Sequence, residues 1–310
     1  MKIALHEITS NKASFEEDLK AYGEVGWTAF EMSLGKAQQY IQEHGMNDFV
    51  QFVEDSGLKP VACTGHVVLV FSSPDKIKAN EDQFSQTLDI MESVGCPVIV
   101  FGADGPSSIP GAPDMSEGGL AERDRAYRKE LARFADQVAK LADMAKPRGA
   151  TMALEMNWCS MCRSVITAAE AINLVDRNNV GLMFDTAHFA CTPSRLSDLD
   201  MVKGKIVAGH LNDMRDCPPE IRNVNNDRVI PGDGVLPLVE WINKVEECGF
   251  EGWHCVELFC DDLYNVGGSE PFNLLPDPAQ AVDAGDRPLG PRPPAPDAVH
   301  RFEADVVKAQ

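Results

Sequence analysis

Four residues that could bind a metal ion or move a proton each end an apolar run in the second half of the chain. An ionised side chain at the end of a buried strand needs a partner, because burying an unpaired charge is costly. Three carboxylates and one imidazole suit a divalent ion of intermediate hardness, such as Mn²⁺, Co²⁺, Zn²⁺ or Fe²⁺. The sequence therefore predicts a metal site formed by Glu155, Asp185, His210 and Glu257.

The spacing of these four residues indicates how they could meet. They are separated by 30, 25 and 47 positions along the chain, and the first two intervals match one strand followed by one helix. Short apolar runs bounded by polar residues are typical of strands buried in a parallel sheet. Each ligand would then lie at the carboxyl edge of its strand, and neighbouring strands would bring the four together.

The first half of the chain shows the same alternation of strands and helices. We predict strands at residues 2–8, 28–34, 59–66 and 97–101, with one helix from the second strand through Asp55. Together with the four later strands this makes eight units, which predicts an α/β fold: a (β/α)8 TIM barrel. Chemistry in that fold occurs at the carboxyl edge of the strands. The third strand brings His66 to this edge as a candidate substrate contact.

After the eighth strand the regular pattern stops. Residues 261–295 are rich in Pro and Gly, which predicts a long loop, and residues 297–308 have the apolar spacing of a closing eighth helix. We therefore expect a single domain over residues 1–310. A loop of this length is typical of a lid or an interface, so we expect it to join copies of this chain or a different subunit.

Composition excludes some classes of partner. The 310 residues carry a net charge of −20, which argues against nucleic-acid binding because such proteins usually cluster Lys and Arg. No apolar run approaches the roughly 20 residues of a membrane span. We expect a cytoplasmic protein without membrane contact, with its nine cysteines reduced.

His6 and His254 are predicted to be packing groups, and Cys159 and Cys162 are assigned no role.

Five stretches together resemble the xylose-isomerase-like barrel superfamily, over residues 1 to about 260. Its members include sugar isomerases, ketose 3-epimerases, inosose dehydratases and apurinic-site endonucleases. The resemblance implies one Mn²⁺ or Co²⁺ bound by the four ligands, with Glu155 and Glu257 moving the proton and His188 and Arg228 contacting substrate. Among all ions we place Mn²⁺ before Co²⁺, Zn²⁺, Mg²⁺ and Fe²⁺. The stretches are residues 153–157, 184–188, 209–213, 228–234 and 256–258.

The chemistry follows from such a site. A divalent ion that chelates a carbonyl and the adjacent hydroxyl acidifies the neighbouring C–H and stabilises an enediolate. We expect an isomerase or epimerase acting on a small keto sugar or related polyhydroxylated carbonyl compound, a carbohydrate or a cyclitol. The alternative at the same site is a lyase: an inosose- or dehydroshikimate-type dehydratase, or an enzyme that eliminates an aglycone from a 3-keto C-glycoside with a partner subunit.

Two further classes of protein, an endonuclease and a non-catalytic subunit, fit the sequence less well than an isomerase or a lyase. The endonuclease branch has Asp-Arg-His where this chain has Asp227, Arg228 and Val229, so one ligand imidazole is absent and a second has no counterpart after the fourth strand. A barrel that only supports a catalytic partner would also retain the fold, with the Pro-rich loop as its docking surface. Activity of the purified chain alone distinguishes this last class from an enzyme.

Overall fold

The computed structural model describes residues 1–103, 120–157, 160–218 and 223–259, with only the backbone for residues 103 and 120–128. The predictions for the loop at 261–295, the helix at 297–308 and Cys159 lie outside the described residues. None of the helices in the described part is long and apolar enough to cross a membrane.

Eight parallel strands close into a barrel, which confirms the predicted fold class. Going around the barrel, the order is β1, β10, β7, β6, β5, β4, β3, β2. The two remaining strands, β8 (Asp213–Met214) and β9 (Arg228–Val229), pair antiparallel outside it. The barrel strands are β1 Lys2–His6, β2 Ala29–Ser33, β3 Lys59–Val68, β4 Val98–Ala103, β5 Thr151–Glu155, β6 Val180–Asp185, β7 Ile206–Leu211 and β10 Trp253–Val256.

Helices alternate with the strands, with two corrections to the prediction. The single helix expected after the second strand is two helices, because Gly45 interrupts it at a φ of 92°, which L side chains rarely adopt. A short helix directly after β6 was also not predicted. The helices are α1 Phe15–Val25, α2 Leu34–His44, α3 Met46–Ser56, α4 Pro74–Ser93, α5 Leu120–Ala145, α6 Val165–Val175, α7 Thr186–Cys191 and α8 Leu238–Glu247, with 3-10 turns at Glu7–Ser10, Lys146–Arg148 and Leu196–Val202.

Apolar side chains support the predicted ligands from one layer below. Successive side chains of a strand alternate between its faces, so residues two positions apart share a face. Ala153, Met183, Ala208 and Cys255 each precede a predicted ligand by two positions, and all are buried. The first three belong to one cluster inside the barrel. Strand alternation thus places the ligands in a single layer on top of an apolar one.

Gly181 on β6 provides a test of this packing. A Cβ there would lie 2.3 Å from the carbonyl oxygen of Lys205, whereas a Cβ at Gly102 on β4 would meet nothing within 4 Å. We expect Gly181→Ala to lower the free energy of unfolding by about 2 kcal/mol or more, because backbone must move. Gly102→Ala should change it by less than about 1 kcal/mol. Equal losses in urea denaturation would contradict the close approach of β6 and β7.

His254 provides a test of pH dependence. Burial lowers its pKa from the usual value to about 4, and its Nε2 atom has no hydrogen-bond partner among the described residues. The folded chain therefore binds fewer protons than the unfolded chain between pH 6.5 and 4. For this reason the free energy of unfolding decreases as the pH falls through that window. The stability advantage of wild type over His254→Gln should shrink by about 2 kcal/mol between pH 7 and 4.5. A constant difference in urea denaturation would refute this.

Candidate metal centre

The four predicted ligands come together at the carboxyl edge of the barrel. Glu155, Asp185, His210 and Glu257 end or follow four adjacent strands, and each offers a donor atom within 4.8 Å of the others. The Nδ1 atom of His210 faces all three carboxylates, at 3.7 Å from Glu155 Oε1, 3.6 Å from Asp185 Oδ2 and 3.1 Å from Glu257 Oε2. The residues predicted from their spacing therefore form one cluster.

The cluster fits a divalent ion. His210 Nδ1 is buried and has no hydrogen-bond partner among the described residues. A buried nitrogen surrounded by carboxylate oxygens is what coordination of a cation would satisfy, and one imidazole with three carboxylates suits Mn²⁺, Zn²⁺ and similar ions. Glu155 is the ligand candidate that reaches solvent, with 17% of its side chain exposed, against 0% for Asp185 and 5% for Glu257. A small molecule would thus approach from the side of Glu155.

Arg228 supplies a buried positive charge to the same cluster. Its Nη1 atom donates to Glu257 and lies 3.2 Å from Asp185 Oδ2, while its Nε atom donates to the carbonyl of Val224. The guanidinium also lies over the ring of Phe259, at 4.9 Å from its centroid. Because the side chain is completely buried, Arg228 offsets part of the carboxylate charge and is held in one orientation.

The loop that carries Arg228 is fixed by a single carboxylate. Asp213 accepts hydrogen bonds from the backbone N–H groups of Met214, Gly232, Gly234 and Leu236. A Cβ at Gly234 would lie 2.3 Å from Asp213 Oδ1, so only glycine allows this approach. These bonds hold the segment that follows β9 against Asp213 of β8. Glycine is therefore required at position 234 within the stretch 228–234.

His188 reaches the cluster from α7, the short helix that sequence reasoning missed. Asp185 is the N-cap of this helix, and its Oδ1 accepts from the backbone N–H of His188 at 2.7 Å. The Nε2 atom of His188 lies 3.8 Å from Glu155, 3.1 Å from Asn157 Nδ2 and 3.4 Å from Arg228 Nη2. The structure thus brings two of the three predicted substrate contacts to the ligands.

The third predicted substrate contact, His66, lies apart from them. Its ring packs against Phe84 of α4, with the ring centroids 4.9 Å apart. Burial lowers the pKa of His66 to about 4, so the imidazole is neutral near pH 7. No described contact joins His66 to the four ligand candidates, and its role in substrate binding stays a prediction.

Two residues of the site were missed by sequence reasoning. His6, expected to be a packing group, lies with its ring centroid 5.2 Å from that of His210. Glu31 on β2 approaches His210 Nε2 to 3.0 Å with its Oε2 atom, and Thr64 donates to its other oxygen. Burial alone would raise the pKa of Glu31, but His210 and His6 hold it well below the usual range. Both residues show the same signal as the four ligands, a polar side chain after an apolar run.

Comparison with known proteins identifies the class. A family model described as the xylose isomerase-like TIM barrel matches residues 19–286, and the chain belongs to this family. An inosose isomerase of Bacillus velezensis is 25% identical over 91% of this chain and 97% of the relative. An inosose dehydratase of Serratia proteamaculans is 25% identical over 76% of this chain and 88% of the relative. A crystal structure of the IOLI protein with a zinc atom superposes with a TM-score of 0.77 at 23% identity, covering 92% of this chain and 98% of that one.

Metal binding can be tested through stability. A ligand that binds only the folded chain adds about 2.7 kcal/mol to the free energy of unfolding when its free concentration is 100 times its Kd. We expect this gain for Mn²⁺ or Zn²⁺ relative to a chelator, measured by urea denaturation. Asp185→Asn should lose the gain while still capping α7, since Asn is also a good N-cap. The control Asp143→Asn, which alters an exposed ion pair with Arg177, should keep it. Equal gains in both variants would place the ion elsewhere.

Proposed function

We propose that this protein is a divalent-metal-dependent enzyme that forms an enediolate from a small keto sugar or cyclitol ketone and acts as an isomerase or epimerase. The observation that carries the proposal is the convergence of Glu155, Asp185, His210 and Glu257 beside the buried Arg228. The relative from B. velezensis is named for an inosose, a ketone derived from a cyclitol, and this supports a cyclitol ketone as the first substrate to try.

The chain's own residues can be assigned to the steps of this reaction. Glu155 and Glu257 lie on strands separated by two others, so they can reach a bound carbonyl compound from different sides. One removes the proton adjacent to the carbonyl and the other returns a proton, which needs both to be within hydrogen-bond reach of the substrate carbons. A divalent ion held by the four ligands would supply the Lewis acid that polarises the carbonyl.

Two further residues bind rather than transfer protons. His188 offers its Nε2 atom beside Glu155, where a substrate hydroxyl could exchange for Asn157 as its partner. Arg228 holds its charge next to the oxygens of Glu257 and Asp185, where negative charge develops on the substrate oxygen. Arg228 would therefore favour the enediolate over the ketone, and His188 would orient the substrate.

A lyase is the second candidate, favoured by one specific finding. The relative from S. proteamaculans is named as an inosose dehydratase. The first step would be the same removal of a proton adjacent to the carbonyl. Loss of the β-hydroxyl as water would then replace the return of the proton, and the residues so far described serve either outcome.

Turnover of an inosose in D₂O tests the proposal and separates the two candidates. An isomerase or epimerase yields an isomer of the substrate that carries deuterium on carbon. A dehydratase instead yields a product that has lost one molecule of water. Mass spectrometry and NMR of the products distinguish these results. Elemental analysis of the purified protein, together with loading by Mn²⁺ or Zn²⁺, identifies the native ion. Absence of exchange and of turnover for all keto sugars and cyclitol ketones with a metal-loaded protein would refute the proposal.

Glu155→Gln tests the role of the solvent-facing carboxylate. General acid–base groups contribute roughly 10²- to 10⁴-fold to the rate, so kcat should fall by at least about 10²-fold. Glu240→Gln, an exposed position in the first turn of α8, is the matched control and should leave kcat unchanged. The measurement is steady-state turnover of the ketone that the D₂O experiment identifies as a substrate. A rate in Glu155→Gln close to wild type would remove Glu155 from proton transfer.

A further inference from the structure

Glu31 and His6 form a second group of buried polar residues beside the ligands, and neither is assigned a role by the proposed reaction. We propose that Glu31 is a positioning residue: it fixes the tautomer of His210 so that the metal ion is bound by Nδ1, while the N–H group of His6 faces both Glu31 and Glu257. This inference rests on the metal site of the proposed function and adds two residues, from β1 and β2, to those that determine its affinity.

The two nitrogens of His210 face different partners. Nε2 lies 3.0 Å from Glu31 Oε2, and both side chains are 1% exposed. An imidazole that binds a metal ion is neutral, and because an ionised carboxylate only accepts hydrogen bonds, the single proton of His210 would then be on Nε2. The lone pair is then on Nδ1, the atom that faces Glu155, Asp185 and Glu257. Protein ligands to metals are commonly oriented by an outer carboxylate in this way.

Glu31 is itself held by a donor on its other oxygen, and a second N–H group faces that oxygen. Thr64 Oγ1 donates to Oε1 from β3, and His6 Nε2 lies 3.5 Å from the same atom. His6 Nδ1 accepts from the backbone N–H of Ile8 at 2.9 Å, so the proton of His6 is on Nε2. The N–H group of His6 therefore faces Glu31 without a hydrogen bond to any described residue, and while the Ile8 contact holds His6 cannot ligate an ion through Nε2.

His6 also connects Glu31 to a predicted ligand. The same Nε2 atom lies 3.8 Å from Glu257 Oε1, which is the oxygen turned away from His210 Nδ1. One N–H group thus faces two carboxylates, Glu31 and Glu257, across β1. Because all three side chains are buried, the attraction between this N–H group and the two carboxylates is weakly screened by solvent. The arrangement restricts both His210 and Glu257 to orientations that suit a shared cation.

A purely structural role makes a different prediction. If Glu31 only satisfies a buried imidazole, its replacement would lower stability without changing affinity for an ion. If it sets the tautomer, the amide of Gln can turn its NH₂ toward His210 Nε2, which moves the proton to Nδ1 and blocks ligation. Loss of such an outer carboxylate typically weakens metal binding by 10- to 100-fold.

Metal affinity is therefore the first test. We expect Glu31→Gln to raise the Kd for Mn²⁺ and Zn²⁺ by 10- to 100-fold in competition titrations. Glu7→Gln is the matched control: Glu7 is equally buried and adjacent to His6, but its Oε2 accepts from the backbone of Ser33, and it should bind with unchanged Kd. Unchanged affinity in Glu31→Gln would overturn the role of Glu31, as would an equal loss in both variants.

The wild-type protein gives a second test that does not depend on a variant folding. In protein labelled with ¹⁵N-histidine and loaded with Zn²⁺, the nitrogen shifts of His210 should show a coordinated Nδ1 and a protonated Nε2. Coordination through Nε2 would overturn the proposal. Neither measurement needs a substrate, so failure to turn over any ketone would refute the proposed reaction alone. A wild-type protein that binds no divalent ion would refute both.

Discussion

The structure depends on how several like charges can be buried together. Asp185 and Glu257 lie within a few ångströms of each other and Glu31 contacts the other nitrogen of the same imidazole, all three almost without contact with solvent, and Glu155 is only partly exposed. Such a group is unstable unless cations and hydrogen-bond donors oppose it. Arg228 contacts Asp185 Oδ2 and Glu257 Oε2, the same two oxygens that face His210 Nδ1, and so offsets part of their charge. These oxygens, Glu155 and the buried His210 Nδ1, which has no hydrogen-bond partner among the described residues, converge on one region, and a divalent ion would satisfy that arrangement.

The barrel makes this concentration of charge possible. Eight strands end at one edge, so side chains far apart in sequence share a single layer, and the layer below is filled with apolar residues such as Ala153, Met183 and Ala208. Glu155, Asp185 and His210 lie on strands that pair with a neighbour on each side. The positions of the donors are consequently set by the sheet, and loops supply only the residues that complete the site, including Arg228.

Sequence reasoning predicted the barrel and all four ligand candidates, because both follow from local patterns: apolar runs of strand length and a polar residue at the end of each. The break at Gly45, the helix α7 and the β8 and β9 pair escaped prediction because they depend on single turns and short pairings. Glu31 and His6 carried the same local pattern as the ligands. Their roles could not be predicted, since the contact between Glu31 and His210 joins residues 179 positions apart and exists only once the barrel closes.

The placement of Asp185 constrains how this carboxylate can behave. One of its oxygens, Oδ1, is bound to the first turn of α7 through the backbone N–H of His188, and only Oδ2 is directed toward His210, Arg228 and Asn212. The residue can therefore offer a cation one oxygen and not two. It also joins the cluster rigidly to the helix that carries His188, so that a displacement of either the ion or a molecule bound at His188 would be felt by the other through a single side chain.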